Sequence, residues 1–392
     1  MSCNLAQHRN SSLTKYQACA TGLPRRGGCV GWGLVSLLTG ALVTVFACAG
    51  PGSSGPPSPR GDPAASAPTV APGVAAAPAS APSPAPLRAL KLAYGFVSAE
   101  VIPLWIALDQ GVFARHGLAV EPVLLQSSAQ IAPAMASGEI DVALTAGAGV
   151  IDIDLAGGDV VLIASQTNWM RFFLHARPEI RRVDDLRGKR VAITRLGSGV
   201  HLATTKVLER AGIEAGRDAI LVQAGSGDAV LGSLASGSAD AAMLVLPANL
   251  LAERQGFPLL ADVRDYQIPY VAAGLAATRA TLASRPELVG DFVRAYLEAM
   301  GMARREPALA QRLMGQHLQT DDADLLERSY RTWIEEMDPL PYPSLPGIQT
   351  ILDQRAPEVP AARAANPADF VDDRLLRELE ASGFLARALG AP

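Results

Sequence analysis

The stretch Ala136-Ser137-Gly138-Glu139-Ile140-Asp141-Val142-Ala143 returns 99 residues later as Ala235-Ser236-Gly237-Ser238-Ala239-Asp240-Ala241-Ala242. A second pair shares that offset: Leu87-Arg88-Ala89-Leu90-Lys91-Leu92-Ala93-Tyr94 and Leu186-Arg187-Gly188-Lys189-Arg190-Val191-Ala192-Ile193. Two matches at one spacing indicate a duplicated unit, and the period is too long for a solenoid. The first member of the second pair alternates apolar and polar residues as a strand does, and its partner has the same form. In the first pair, glycine stops a helix and aspartate opens the next strand.

Working outward, each copy reads strand, helix, strand, helix, strand. In the first copy, strands are expected over 90–96, 120–125 and 141–145, with helices over 103–110 and 128–137. In the second, strands fall at 190–194, 220–223 and 241–246, with helices at 200–211 and 230–235. Short apolar strands alternating with helices predict mostly parallel sheets covered on both faces, an α/β fold. The chain then returns through a strand-like 270–277. Ser284-Arg285-Pro286-Glu287 reads as a capping box with proline in the first turn, opening a helix to Met300. Thr320 is expected to cap a helix over 322–337. Asn366-Pro367 should open a last helix with Val371, Leu375, Leu376 and Leu379 on one face. This divides the body into one lobe of 87–174 with 271–392, which carries the C-terminal helices, and a second of 175–270. Two crossings, near 172–176 and 266–271, join them.

The segment before the body is of another kind. Of the 392 residues 49% are hydrophobic and 29 are proline, but 11 of those prolines fall between Pro51 and Pro86, with only Arg60 and Asp62 charged. Such a stretch cannot bury enough apolar surface to offset its chain entropy, so 49–86 reads as an extended tether. Ahead of it, Arg25 and Arg26 precede an apolar run from Val30 to Ala47, the pattern of a secretory signal over 1–48. The 24 residues before Arg25 are long for such a signal, which points to a start downstream of Met1. Val45-Phe46-Ala47-Cys48 resembles the bacterial lipobox, with Phe46 departing from its usual small or polar residue. All four cysteines lie at or before Cys48, which excludes a disulfide framework, a thiolate metal site and a cysteine nucleophile from the body. The expectation is a chain exported across the inner membrane and lipid-anchored at Cys48, periplasmic or at the cell surface.

The first 48 residues carry four basic side chains and no acid, leaving 30 basic and 38 acidic residues, a balance of −8. An acidic body without a Lys/Arg block argues against nucleic acid as a partner. A monomer is expected.

With these residues in view, the body resembles bacterial periplasmic substrate-binding proteins of the nitrate, sulfonate, taurine and thiamine-precursor group, the partners of ABC importers. The markers are Leu104-Trp105-Ile106-Ala107, Gly111-Val112-Phe113, His116-Gly117-Leu118, Ser137-Gly138-Glu139-Ile140-Asp141, Asp185-Leu186-Arg187-Gly188-Lys189-Arg190-Val191 and Gly197-Ser198-Gly199. The resemblance implies the type II periplasmic-binding-protein fold and capture of a small molecule between two closing lobes. It also implies delivery to an ABC permease and its ATPase. It leaves open a lipoprotein that presents ligand to a sensor. Thiamine-precursor synthases share the resemblance, but they depend on a cysteine-rich iron motif that this body lacks, so no enzyme, cofactor or metal is expected.

In parallel sheets, ligands bind beyond the C-terminal ends of strands. The loops there are rich in Gly and Ser, which expose backbone N–H groups and short hydroxyls but which also cap helices and make turns. They supply the candidates Phe96, Ser98, Ser127, Thr145, Ser198, Gly199 and Ser226. His201, within a turn of Ser198, either faces the cleft or packs. Asn168, Trp169 and Arg171 stand near the first crossing, as a polar and aromatic wall with a cation or as hinge packing and a surface pair. Asn249, after the second copy's last strand, and Tyr270, at the return, complete the set. His116 is assigned to a turn and His317 to a surface helix. Gly147-Ala148-Gly149-Val150-Ile151-Asp152 imitates a dinucleotide fingerprint, but its sixth position would bring a carboxylate toward the pyrophosphate. Asp152 and Asp154 are read as balancing a helix dipole. Should either face the cleft, an amine-bearing ligand or a neutral ring is favoured over a simple oxyanion.

Overall fold

The computed structural model describes residues 86–125 and 128–390. The signal-like segment with Cys48, the tether up to residue 85 and Ser127 lie outside the described residues. The chain forms ten strands: β1 (Arg88–Tyr94), β2 (Leu118–Leu124), β3 (Val142–Thr145), β4 (Val160–Trp169), β5 (Phe173–Ala176), β6 (Arg190–Ile193), β7 (Ile220–Gln223), β8 (Ala241–Leu244), β9 (Leu259–Asp262) and β10 (Pro269–Thr278). They build two five-stranded sheets, ordered β2-β1-β3-β10-β4 and β7-β6-β8-β5-β9.

The two orders are the same order. In the first sheet β1 runs parallel to β2 and β3, while β10 lies antiparallel between β3 and β4. In the second, β6 runs parallel to β7 and β8, while β5 lies antiparallel between β8 and β9. Each sheet thus has one reversed strand, and in each it is the strand that the chain enters on crossing from the other sheet.

The duplicated sequence has a shared mechanical cause. Gly138 and Gly237 both sit at φ +75°, where a side chain would be strained, and end the helices Ser128–Ala136 and Gly227–Ala235. Three residues on, Asp141 accepts the Lys91 backbone N–H at 2.8 Å and donates its own to the Lys91 carbonyl at 2.9 Å. Asp240 does the same with Arg190, at 2.9 and 2.8 Å. Each aspartate therefore fastens the end of the third strand to the start of the first. The copies differ in the cation: Arg190 itself pairs with Asp240 at 2.8 Å, whereas Asp141 is paired by the distant Arg285.

The main core lies between the first sheet and the helices Ile102–Asp109, Pro286–Arg305 and Ala323–Glu336, with Leu92, Leu104, Phe292, Tyr296 and Trp333 buried in it. Phe113 stacks on Phe292 at 5.3 Å. A second apolar cluster runs from the other face of that sheet to β6, through Val271, Leu174 and Ile348, and a smaller third lies under the Gly227–Ala235 helix. The helix Leu345–Arg355 packs on β10 and on the helix Gly147–Leu155, which brings its C-terminal end toward the second sheet.

Several local expectations change. The helix Ala323–Glu336 is capped by Asp322, whose carboxylate accepts the Leu325 N–H at 3.0 Å; Thr320 instead accepts the N–H of Asp322. Ser284 ends the preceding helix Arg279–Ser284 rather than forming a capping box, and Pro286 opens Pro286–Arg305 with no side-chain cap. Val371 is extended, not helical: it bridges Leu162 on the outer edge of β4, and Asp372 N–H donates to the Leu162 carbonyl at 2.9 Å. The last helices are Arg374–Ala381 and Phe384–Leu389. Among the described residues, no helix is long and apolar enough to cross a membrane.

Candidate ligand cleft

A cavity of about 450 Å³ opens where β1, β3 and β6 end. Gly95 and Phe96 follow β1, Thr145 and Ala146 end β3, and the loop from Arg195 to Gly199 follows β6; all line it. Asp152 joins from the helix Gly147–Leu155, Tyr270 from β10, and Gln354, Arg355 and Glu358 from the end of the helix Leu345–Arg355. Both sheets and the C-terminal helices therefore meet in one space.

Its second-sheet wall is a helix start. Ser198 caps the helix Gly199–Arg210, accepting the His201 N–H at 3.2 Å and donating to the Arg195 carbonyl at 2.7 Å. The Gly197 N–H donates to His201 Nδ1 at 3.0 Å. That bond leaves the ring proton on Nε2, so a neutral His201 can still donate. Burial, aided by the Arg355 charge, lowers its pKa and keeps the ring neutral. Gly199 is a glycine for space: a Cβ there would stand 2.8 Å from Tyr270 Oη and 3.2 Å from Phe172 Cζ.

Arg355 closes the floor. Its Nε donates to Asp152 Oδ1 at 2.6 Å, and its Nη2 to Asp152 Oδ2 at 3.0 Å and to the Gly197 carbonyl at 2.7 Å. Burial opposes this charge, and the Asp152 hydrogen bonds outweigh it, so the guanidinium pKa is raised. Asp152 therefore faces the cleft rather than only balancing a dipole, and its charge is already answered. Beside it Tyr270 is 2% exposed, and its buried hydroxyl has no hydrogen-bond partner. Burial pushes that phenol well above its ordinary pKa, so it is a neutral donor and acceptor.

Of the sequence candidates, the cavity brings together Phe96, Thr145, Ser198, Gly199, His201 and Tyr270. Others stand elsewhere. Asn168 is buried with its amide taken by the chain, Nδ2 donating to the Tyr342 carbonyl at 2.7 Å and Oδ1 accepting the Ser344 N–H at 3.0 Å. Ser98 is buried and donates to Glu100; Trp169 is 42% exposed. Ser226 is exposed and caps its helix through the Ala229 N–H. Asn249 is buried with Oδ1 unpartnered, away from the cavity lining. Asp154 pairs with Arg279 at 3.0 Å; His116 pairs with Glu298 at 2.9 Å, and His317 is exposed on the helix Pro307–Leu318, where it stacks on Trp105 at 4.4 Å. Gln354, Arg355 and Glu358 carried no sequence signal, because only tertiary packing brings the C-terminal helix to this place, whereas Arg195, in the loop after β6 beside Gly197-Ser198-Gly199, lay within reach of the strand-end argument and was missed. No group of three or more His, Cys, Asp or Glu suited to a metal occurs among the described residues.

The crossings meet at one buried acid. Arg171, between β4 and β5, pairs with Glu336 at 3.2 Å, and Arg264, between β9 and β10, reaches the same carboxylate at 3.4 Å. Arg171 is thus neither a free cation nor a surface pair. Burial lifts the Glu336 carboxyl to about 7, against the opposing pull of both arginines.

Several solved structures share this architecture. The alkanesulfonate-binding protein SsuA from Xanthomonas axonopodis pv. citri, bound to MOPS, is 20% identical, covering 74% of this chain and 99% of its own, with a TM-score of 0.61. The periplasmic aliphatic sulphonate binding protein SsuA from Escherichia coli is 18% identical over 73% of this chain and 92% of its own, with a TM-score of 0.60. The periplasmic nitrate-binding protein NrtA from Synechocystis is 16% identical over 78% of this chain and 90% of its own, with a TM-score of 0.62. At these identities the likeness establishes the fold, two mixed sheets flanked by helices as in periplasmic binding proteins. No curated protein sequence matches. The family model described as NMT1/THI5 like matches residues 98–310, more than half of the chain, and the chain therefore belongs to the NMT1/THI5-like family.

Proposed function

We propose that this protein is an extracytoplasmic solute-binding protein that captures a small molecule between two lobes, 87–174 with 271–392 and 175–270, and delivers it to an ABC permease and ATPase. The cleft carries the reading: about 450 Å³ lies within the usual range for small-molecule pockets, roughly 300–1,000 Å³. Its walls come from both sheets, so a bound solute would touch each and hold them together. The relatives named above, described as sulfonate- and nitrate-binding, support the same role. Family members that act in biosynthesis are not the model for this chain, whose body has no cysteine.

Thermal melting of the purified chain against alkanesulfonates, nitrate, pyrimidines and other nitrogen heterocycles tests the role. One class should raise the melting temperature, with stabilisation reaching about 2.7 kcal/mol at 100 times Kd. No shift with any class, together with no binding of the amino carboxylates titrated below, would overturn it. We further propose that Cys48 carries a lipid that anchors the protein after export. Metabolic labelling with a fatty acid should tag the protein, and Cys48→Ser should abolish the tag.

A further inference from the structure

We propose that the cleft selects a small amphoteric solute, carrying a carboxylate and a protonated amine, with the carboxylate taken by Arg195 and the amine by Glu358. This rests on the ligand-binding reading above and adds the class of ligand.

Four charged side chains line the cavity: Asp152, Arg195, Arg355 and Glu358. Two of them are spent on one another. The Asp152 carboxylate takes two donors from Arg355, and two more of its five N–H groups reach the Gly197 carbonyl and Gln354 Oε1 at 2.7 and 3.0 Å. A solute anion arriving at that floor would have to displace a protein carboxylate already in place. The floor is electrically closed.

The other two are open. Among the described residues, neither the Arg195 guanidinium nor the Glu358 carboxylate has an ion-pair partner, and both are exposed. They come from different segments, Arg195 from the second-sheet loop after β6 and Glu358 from just past the helix Leu345–Arg355. The same cavity holds two neutral groups, the His201 imidazole and the unpartnered, buried Tyr270 hydroxyl. The His201 Nε2–H donates and the Tyr270 hydroxyl donates or accepts, and neither carries a charge.

The charge arrangement then decides the ligand. A lone anion at Arg195 leaves Glu358 facing it with like charge, and a lone cation at Glu358 meets Arg195 in the same way. A solute with both charges answers both residues at once. The planar fork of Arg195 matches a carboxylate bidentately, and the point-like ammonium suits Glu358.

Calorimetric titration of the full-length chain with the ω-amino carboxylates from glycine to 6-aminohexanoate, and with the length-matched simple carboxylates and primary amines, tests the proposal. An amino carboxylate should bind about ten-fold or more tightly than either single-charge counterpart. Glu358→Gln should cost about ten-fold for the amino carboxylate and tighten the simple carboxylate; Arg195→Gln should cost the amino carboxylate similarly and tighten the amine. Both residues are exposed, so circular dichroism and melting of the unliganded variants should match the parent. A carboxylate or amine that binds as tightly as the amino carboxylate, with both variants indifferent, overturns the proposal and leaves the cleft a binding site. If only the broader melting screen yields a ligand, its charges decide in the same way: one charge or none overturns, both support. Silence of every probe in both experiments overturns the binding reading beneath.

Discussion

Tyr270, 2% exposed, places an unpartnered phenolic oxygen against Gly199, whose missing side chain makes room for it. A buried hydroxyl that bonds nothing costs about 1–3 kcal/mol. Tyr270→Phe should therefore hold or raise the stability of the unliganded chain by about 1 kcal/mol while weakening ligand, a split that urea unfolding and titration read separately. Gly199→Ala drives a Cβ to 2.8 Å from that oxygen and should cost about 1–3 kcal/mol by overpacking. Combined with Tyr270→Phe, the loss should shrink, because the colliding atom is gone. If the double variant is as unstable as the sum of the singles, the contact is not the cause.

At the scale of elements, the Asp141 and Asp240 fastenings were the most legible feature of the sequence, and the reason is local. A left-handed glycine and an aspartate three residues later are required by one turn, so the pair survives in both copies and can be read without knowing the fold. Removing either carboxylate, by Asp141→Ala or Asp240→Ala, should cost about 1–3 kcal/mol, seen as a lowered urea midpoint with unchanged slope. What was not legible depends on distant partners. Nothing in the residues around Arg355 announces that its helix lands beside Gly197, and nothing near Val371 says that it meets the edge of β4.

The buried node between the crossings makes an element-level prediction in pH. With Glu336 at about 7 against an ordinary 4.5, the folded chain keeps a proton that the unfolded chain releases in between. Its contribution to stability is complete below about 4.5 and is lost as pH rises through about 7. Arg171, Arg264, Glu100 and Asp262 are the charges that face it. Glu336→Gln removes that slope, so wild type should lose ground relative to the variant as pH rises across this window. His175 and His201 slope the other way: burial lowers both below 6.5, so their contribution falls as pH drops beneath that value. They are common to both proteins, and the wild-type-minus-variant difference isolates Glu336.

Across the whole molecule, the proposed closure over ligand predicts a smaller radius of gyration by small-angle scattering when the true solute is present. An unchanged radius with confirmed binding would mean that the cleft is filled without movement. The sequence carried the duplicated α/β units and six of the cleft candidates, five at or just after the ends of repeat strands and the sixth, Tyr270, on the returning β10. It named Asp152 without fixing where that carboxylate faces, and it did not carry the floor pair, which forms between residues 203 positions apart. Nor did it carry β9 or the reversed direction of β5, which depend on neighbours in space.

The shared strand order has a consequence for synthesis. Strand β4 is flanked in the finished sheet by β10 on one side and by Val371 on the other, and both come later in the chain. All five strands of the second sheet are made between β4 and β10. At about 5–20 residues per second, the roughly 100 intervening residues take on the order of 5–20 s. Through that interval the apolar β4, Val160 to Trp169, has emerged with neither edge paired, the condition in which strands of different chains join. A nascent copy of this protein therefore passes through an obligatory sticky stage, and its yield in a cell should depend on what holds β4 apart from other copies until Thr278 has been added.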